Sequence, residues 1–211
     1  MKKLFFPALA SILLFTACSK KNNVAPVPIQ SINGADYTTV VIGSQTWTSQ
    51  NYDGPGGVYY TGMLWSVSGS VKLYSIAEAN AIPLPAGWRL PTENDFYNIL
   101  LAVGGKRISD GAGGTAVTGA SGDPVNTLIS KNGWATTSGT NSSGFNALAL
   151  GYYNGVYQGY GNAAVFIGST VFNGYLMSLY LYDNNYGYTA ILTGNITSST
   201  DRASIRFVKD N

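Results

Sequence analysis

The chain reads as an α+β domain, mainly antiparallel strands with one or two helices packed on them, and three observations lead there. Met177, Leu179 and Leu181 alternate with Ser178, Tyr180 and Tyr182, and Ala203, Ile205 and Phe207 alternate with Ser204, Arg206 and Val208, which is the period of a strand. Phe96, Ile99, Leu100 and Val103 fall instead at i, i+3, i+4 and i+7, the spacing of one helix face. The 26 glycines, many beside Asn or Ser, break the remainder into short runs and irregular loops.

Each element can be justified in order. Tyr37 to Ile42 and Gln45 to Gln50 are β-prone runs flanking Gly43-Ser44, a two-residue link with Gly first that suits a type II′ hairpin. A Gly-punctuated region with Tyr59, Tyr60, Met63, Leu64 and Trp65 reads as irregular strand and loop. Ser75-Ile76-Ala77-Glu78 has capping-box spacing and opens a short helix toward Ala81, which Pro83 and Pro85 end. Thr92-Glu93-Asn94-Asp95 puts an N-cap hydroxyl and two early carboxylates at the start of the main helix, and Gly104-Gly105 stops it. From Lys106 to Asn126 Gly, Ala, Ser and Thr dominate with little to bury, and the reading is a long loop. Asp183-Asn184-Asn185-Tyr186-Gly187 reads as a hairpin turn.

The N-terminus carries a different signal. Met1, Lys2 and Lys3 form a basic head, Leu4 to Phe15 is apolar, and small residues then precede Cys18, which is the plan of a secretory signal. The apolar stretch is shorter than the roughly 20 residues that span a bilayer. Phe15-Thr16-Ala17-Cys18 resembles a bacterial lipobox, with Phe15 where Leu is usual. That resemblance implies cleavage before Cys18, diacylglyceryl attachment to its thiol and later acylation such as palmitate. The expected organisation is a lipoprotein signal peptide over residues 1–17, a lipidated cysteine and flexible tether over 18–36, and one domain over 37–211. Lipidation of Cys18 would hold the domain to a membrane in the cell envelope, at the outer membrane of a Bacteroidetes-type bacterium.

Composition narrows the function classes. Lys2 and Lys3 leave with the signal, so the formal charge falls from +2 to zero, and no nucleic-acid partner is implied. Charged residues are 10% of the chain, against about 25% in ordinary domains, while tyrosines number 15. There is no histidine, which removes a His general base, a Ser-His-Asp triad and a His metal ligand. Cys18 is taken up by lipid. Glu93 and Asp95 are the nearest carboxylate pair, and helix-start stabilisation accounts for both. The expectation is a protein with no catalytic residue, no metal site and no cofactor. Tyr152, Tyr153, Tyr157 and Tyr160 cluster with Gly155, Gly159 and Gly161 in a segment read as loop, where rings can stack on sugar faces or fill a second layer of core. Trp88 and Trp134 are expected in the core.

Several ordered segments resemble one family, the Fibrobacter succinogenes major paralogous domain. They are Val41 to Trp47 with Gln50-Asn51 after it, Leu84 to Thr92, Asn132-Gly133-Trp134, Gly139 to Leu148, Gly151-Tyr152-Tyr153 and Ser204 to Asp210. Together they bracket residues 38–210. The resemblance implies a C-type lectin-like fold, with two helices, a small antiparallel sheet, long irregular loops, and the N-terminal hairpin strand paired with the strand at Ser204 to Val208. It departs where Phe207 stands for a frequent Cys, and where Phe166-Ile167-Gly168-Ser169-Thr170 replaces a Trp-Trp-Ser stretch. Relatives on that fold that generate formylglycine use active-site thiols, and this domain has none. Two functions follow as expectations: a lipid-anchored binding module for glycan or another extracellular polymer, or a structural or adhesive subunit with protein partners in the envelope.

Overall fold

A computed structural model of the chain describes residues 28–60, 71–109, 115–118, 124–136, 138–183, 188–196 and 199–211. Residues 1–27, which carry the expected signal, Cys18 and most of the expected tether, lie outside the described residues, as do Met63, Leu64, Trp65 and Asn184 to Gly187. The described chain runs β1 (Ile29–Ile32), β2 (Ala35–Ile42), β3 (Gln45–Thr48), β4 (Val58–Tyr59), β5 (Lys72–Leu73), α1 (Ile76–Asn80) and α2 (Glu93–Ala102). It continues with β6 (Lys106–Ser109), β7 (Thr115–Thr118), α3 (Pro124–Leu128), β8 (Leu150–Tyr153), β9 (Tyr157–Tyr160), β10 (Ala163–Phe172), β11 (Tyr175–Asp183), β12 (Tyr188–Ile196) and β13 (Val208–Asp210). Strands outweigh three short helices, so the class is α+β.

The N-terminal hairpin forms as its turn chemistry directs. Ile42 faces Gln45 across Gly43, whose φ of 62° lies in the region a type II′ turn requires at its first position. A second hairpin precedes it: Asn33 (φ 49°) and Gly34 (φ 82°) make a type I′ link between β1 and β2. Residues 29–36, expected within the tether, form β1, its turn and the start of β2, with Ile32 fully buried. In the resulting antiparallel sheet, β1-β2-β3-β13, Val208 faces Trp47. The hairpin and the C-terminal segment thus pair, but the strand starts at Val208. Residues 202–204 form single bridges to other elements instead.

A larger sheet has the order β6-β7-β12-β11-β10-β8-β9, with only the β8–β10 contact parallel. Both faces of β10 are covered: Ala164 and Phe166 enter one core cluster, and Val165 and Ile167 enter the other. β10 turns into β11 through Asn173 (φ 50°) and Gly174 (φ 82°), a second type I′ link. Gly168 lies where the register shifts, and a Cβ there would sit 2.3 Å from the Met177 carbonyl oxygen. Asp183 pairs with Tyr188, so the hairpin read at the β11–β12 junction is present around the undescribed 184–187.

The expectation of one loop from Lys106 to Asn126 is corrected. β6 pairs with β7, β7 extends β12, and α3 begins at Pro124. Threonines and a valine in Thr115–Thr118 are β-formers, and the neighbouring strand supplies the hydrogen bonds that composition does not reveal.

α2 carries out its own capping instructions. Thr92 and Asp95 form the reciprocal box, with Thr92 N donating to Asp95 Oδ2 at 2.6 Å and Asp95 N donating to Thr92 Oγ1 at 3.2 Å. At the other end Gly105 N–H donates to Leu100 O and Gly104 N–H to Leu101 O, with Gly104 at φ 92°, a Schellman motif. Phe96, Ile99 and Leu100 are buried, and Val103 packs at the edge of their cluster. Ser75 and Glu78 cap α1 in the same reciprocal way. Trp88 and Trp134 are buried, and so is Phe207. Phe166 and Ile167, which replace the two tryptophans of the resemblance, lie fully in the core.

Asp95 also joins the helix to β3 and, through Arg89, to β13. Its carboxylate accepts from Gln45 Nε2 at 2.5 Å and forms a bidentate contact with Arg89, whose Nη2 also reaches Asp210 at 2.9 Å. Burial alone would raise its pKa, but the hydrogen bonds from Arg89, Thr92 and Gln45 together hold it below the usual 3.8. The folded state therefore binds this proton less readily than the unfolded one. Its stabilisation is present above about pH 4 and is lost as pH falls below that. Asp95→Asn is expected to cost roughly 1–3 kcal/mol at neutral pH. Urea titrations from pH 7 to pH 3 should also show a smaller acid-induced loss in the variant than in the parent chain.

Candidate functional site

The tyrosine segment is a hairpin at the edge of the large sheet rather than a loop. β8 and β9 pair with Tyr153 opposite Tyr157, and Asn154, Gly155 and Val156 form the connection. Gly151 and Gly159 face each other with φ of 67° and 72°. A Cβ on Gly151 would lie 1.8 Å from the Gln158 carbonyl oxygen, so two backbones can approach here only without a side chain.

The four tyrosines do not form one surface. Tyr153 and Tyr157 lie together, ring centroids 4.9 Å apart, and Tyr60 packs on Tyr157 at 4.6 Å and on Tyr160 at 5.3 Å. Tyr157 Oη donates to the Tyr59 carbonyl at 3.3 Å. Tyr152 is separated by strand alternation: its ring meets Tyr180 edge-on at 5.9 Å and its hydroxyl bonds Gln158. Tyr152 packs against the core, while Tyr153, Tyr157 and Tyr160 are half-buried around Tyr60. Burial, then the neighbouring Tyr160 and Tyr157, push the Tyr60 hydroxyl above its ordinary pKa, so it stays a neutral donor.

These rings border a groove of about 420 Å³ lined by Val58, Tyr153, Tyr157, Ser199, Thr200 and Arg202. Its position follows from three backbone junctions. Tyr153 and Arg202 exchange N–H···O bonds at 2.8 Å, and Ala203 pairs with Tyr74, which follows β5. β5 in turn pairs with β4, bringing Val58 to the opposite wall. Arg202 Nη1 bonds Glu78, whose Oε2 also accepts from Ser75 N and Oγ, while Oε1 accepts from Gly57 N at 3.2 Å. The groove thus offers aromatic faces, hydroxyls and a guanidinium held in place by a helix-capping carboxylate. Tyr160 borders a second, more apolar hollow of about 260 Å³ beside Asn132, Gly133 and Leu150.

Val58, Tyr60, Ser199, Thr200 and Arg202 were not among the site candidates read from sequence. They come from two segments, 58–60 and 199–202, brought to the tyrosine hairpin by the β4–β5 pair and by the bridges Tyr74–Ala203 and Tyr153–Arg202, a relation no local spacing encodes. Glu93 opens α2, its backbone N–H held by Thr170 Oγ1 at 3.0 Å, and Asp95 is saturated by Arg89, Gln45 and Thr92. Neither lines the groove. Among the described residues no three of His, Cys, Asp and Glu gather as a metal site, and no helix is long and apolar enough to cross a membrane.

The family model described as the Fibrobacter succinogenes major domain matches residues 40–209. That span runs from within β2 into β13 and takes in the three described helices and the described residues lining the groove. No curated protein and no solved structure matches the chain. The chain belongs to the Fibrobacter succinogenes major domain family.

Proposed function

We propose that this chain is a lipid-anchored binding module of the cell envelope that recognises a glycan or another extracellular polymer through the groove between β4 and the β8–β9 hairpin. The observation that carries the reading is the combination of two tyrosines in edge-to-face contact with hydroxyl and guanidinium donors in one open groove. Aromatic faces bind the apolar faces of sugars, and fixed donors bond their edges. In this reading Cys18 bears the lipid that holds the domain at the outer membrane, and residues 19–27 are the spacer. A C-type lectin-like scaffold is part of the same proposal. The pairing of β3 with β13, which brings the two ends of the domain together, and the short helices beside antiparallel sheets support it. No reaction is assigned to the groove: no carboxylate is among its described lining residues, and Glu78, which holds Arg202, is ionised and bound in the α1 cap and in its ion pair.

One observation favours the alternative, a subunit that docks on envelope proteins. Val171, Phe172 and Tyr175 at the tip of the β10–β11 hairpin are 63%, 52% and 50% exposed. Apolar groups projected on a hairpin suit a protein contact. On that reading, crosslinking in the native bacterium recovers a stable complex that Phe172→Ser disrupts.

The glycan reading is tested on an array of cell-wall and plant polysaccharides. Tyr157→Ala should weaken binding roughly tenfold while the folded domain loses at most about 1 kcal/mol. Absence of binding to every glycan by the parent chain, with a complex recovered by crosslinking, decides for the alternative.

A further inference from the structure

The groove is asymmetric in hydrogen-bonding capacity, and this points to the class of ligand. Glu78 is committed largely to the protein: Oε2 takes Ser75 N at 2.8 Å, Ser75 Oγ at 2.9 Å and Arg202 Nη1, and Oε1 takes Gly57 N. Arg202, by contrast, uses one of its three nitrogens. Among the described residues neither Nε nor Nη2 has a protein partner, and the side chain is 23% exposed in the groove wall. A guanidinium carries five N–H donors in a planar fork, so Arg202 retains four, including the pair that suits a two-oxygen anion.

The surrounding charges act in the same direction. Lys72 lies on the strand facing β4, its Nζ 5.3 Å from the Tyr59 ring centroid and hydrogen-bonded to Gly54 O at 2.9 Å. Among the described residues that line the groove Arg202 is the one charged group, Lys72 and Glu78 both standing outside the lining. Asp201 is buried and is not among the lining residues. Ser199 adds a hydroxyl, which can donate to the same kind of acceptor.

We infer that the groove selects glycans bearing an anionic substituent, a carboxylate or a sulfate ester, with Arg202 bonding the anion and Tyr153 and Tyr157 contacting the sugar ring. This rests on the glycan reading of the same groove. It adds that the preferred sugars are acidic and names the residue that reads the charge. Glu78 keeps Arg202 extended into the wall and is itself held by the α1 cap, so the fork is positioned before any ligand arrives.

Titration calorimetry with matched pairs tests this: trigalacturonate against its methyl ester, and a sulfated galactan oligosaccharide against its desulfated form. The acidic member of at least one pair should bind roughly tenfold tighter or more than its neutral partner, and the pair showing the preference tells carboxylate from sulfate. Arg202→Gln should abolish the preference, whereas Tyr157→Ala should weaken both members alike. Because Arg202→Gln leaves Glu78 without its cation, Arg202→Lys is a second variant. It keeps the ion pair and the fold but loses the fork, and should reduce the preference. Equal affinity for both members of both pairs overturns the inference and leaves the glycan reading standing. Failure of all four ligands and of a neutral polysaccharide array overturns both. A preference unchanged in Arg202→Gln or Arg202→Lys shows that another residue reads the charge and overturns the assignment.

Discussion

The structure depends on a buried cation that has no carboxylate partner among the described residues. Arg206 is fully buried, and burial pushes its pKa down to about 9, which still leaves it protonated at neutral pH. Its charge is satisfied by dipoles: Nε donates to Asn51 Oδ1 at 2.7 Å, Nη1 to Thr48 O and Phe145 O at 2.8 Å, and Nη2 to Asn146 O at 3.0 Å. The guanidinium lies over the Phe145 ring at 4.8 Å and the Phe166 ring at 5.5 Å. Taking an ion out of water costs several kcal/mol even after relaxation, so only near-complete coordination makes the position tolerable. That requirement fixes β3, the segment at 145–146 and β10 relative to one side chain. Asn146 meets it in a left-handed conformation, φ 57°, with its N–H held by Asn141 Oδ1.

The same constraint reaches the groove through the chain on either side of Arg206. Ser204 N and O bond β10 on one side, and Asn51 Nδ2 bonds the Ser204 hydroxyl, so the residue that holds Arg206 also holds its neighbour. Ile205 O accepts from Tyr52 N and Phe207 O from Thr48 N, tying the segment to the N-terminal sheet. Two residues upstream of Ser204, Arg202 is delivered to Tyr153 with its side chain beside Glu78. The segment from Ala203 to Phe207 is therefore neither an edge strand nor a surface loop. It is a buried seam between the two sheets, and the groove opens at its upstream end.

Local chemistry was legible, and long-range pairing was not. Thr92 with Asp95, Ser75 with Glu78 and Gly104-Gly105 declare helix ends because caps act within four residues, and the structure has all three. Asn33-Gly34 and Asn173-Gly174 are equally local signals for type I′ hairpins, and reading them would have placed β1 in the fold and the start of β11 at Tyr175. The alternation at 203–208 was real but misleading. A half-buried strand would expose one set, whereas Ser204, Arg206 and Val208 are as buried as Ile205 and Phe207 because sheet covers both sides. For β6 and β7, small polar residues concealed strands whose support comes from β12, about seventy residues later. Of the four candidate tyrosines, alternation alone could have separated Tyr152 from Tyr153, but only the fold brings Arg202 and Val58 to them.

The seam is tested most directly by urea unfolding of Arg206→Met beside Arg206→Lys. Methionine fills the space between Phe145 and Phe166 but leaves Asn51 Oδ1 and three backbone carbonyls without donors, which substitution elsewhere cannot remove. The account predicts a loss of at least about 3 kcal/mol for Arg206→Met, a smaller loss for the lysine variant, and faster amide exchange at Ala203 and Val208, whose bonds to Tyr74 and Arg89 flank the site. A methionine variant within about 0.5 kcal/mol of the parent, with Ala203 and Val208 still protected, would show that the guanidinium does not hold the two sheets together.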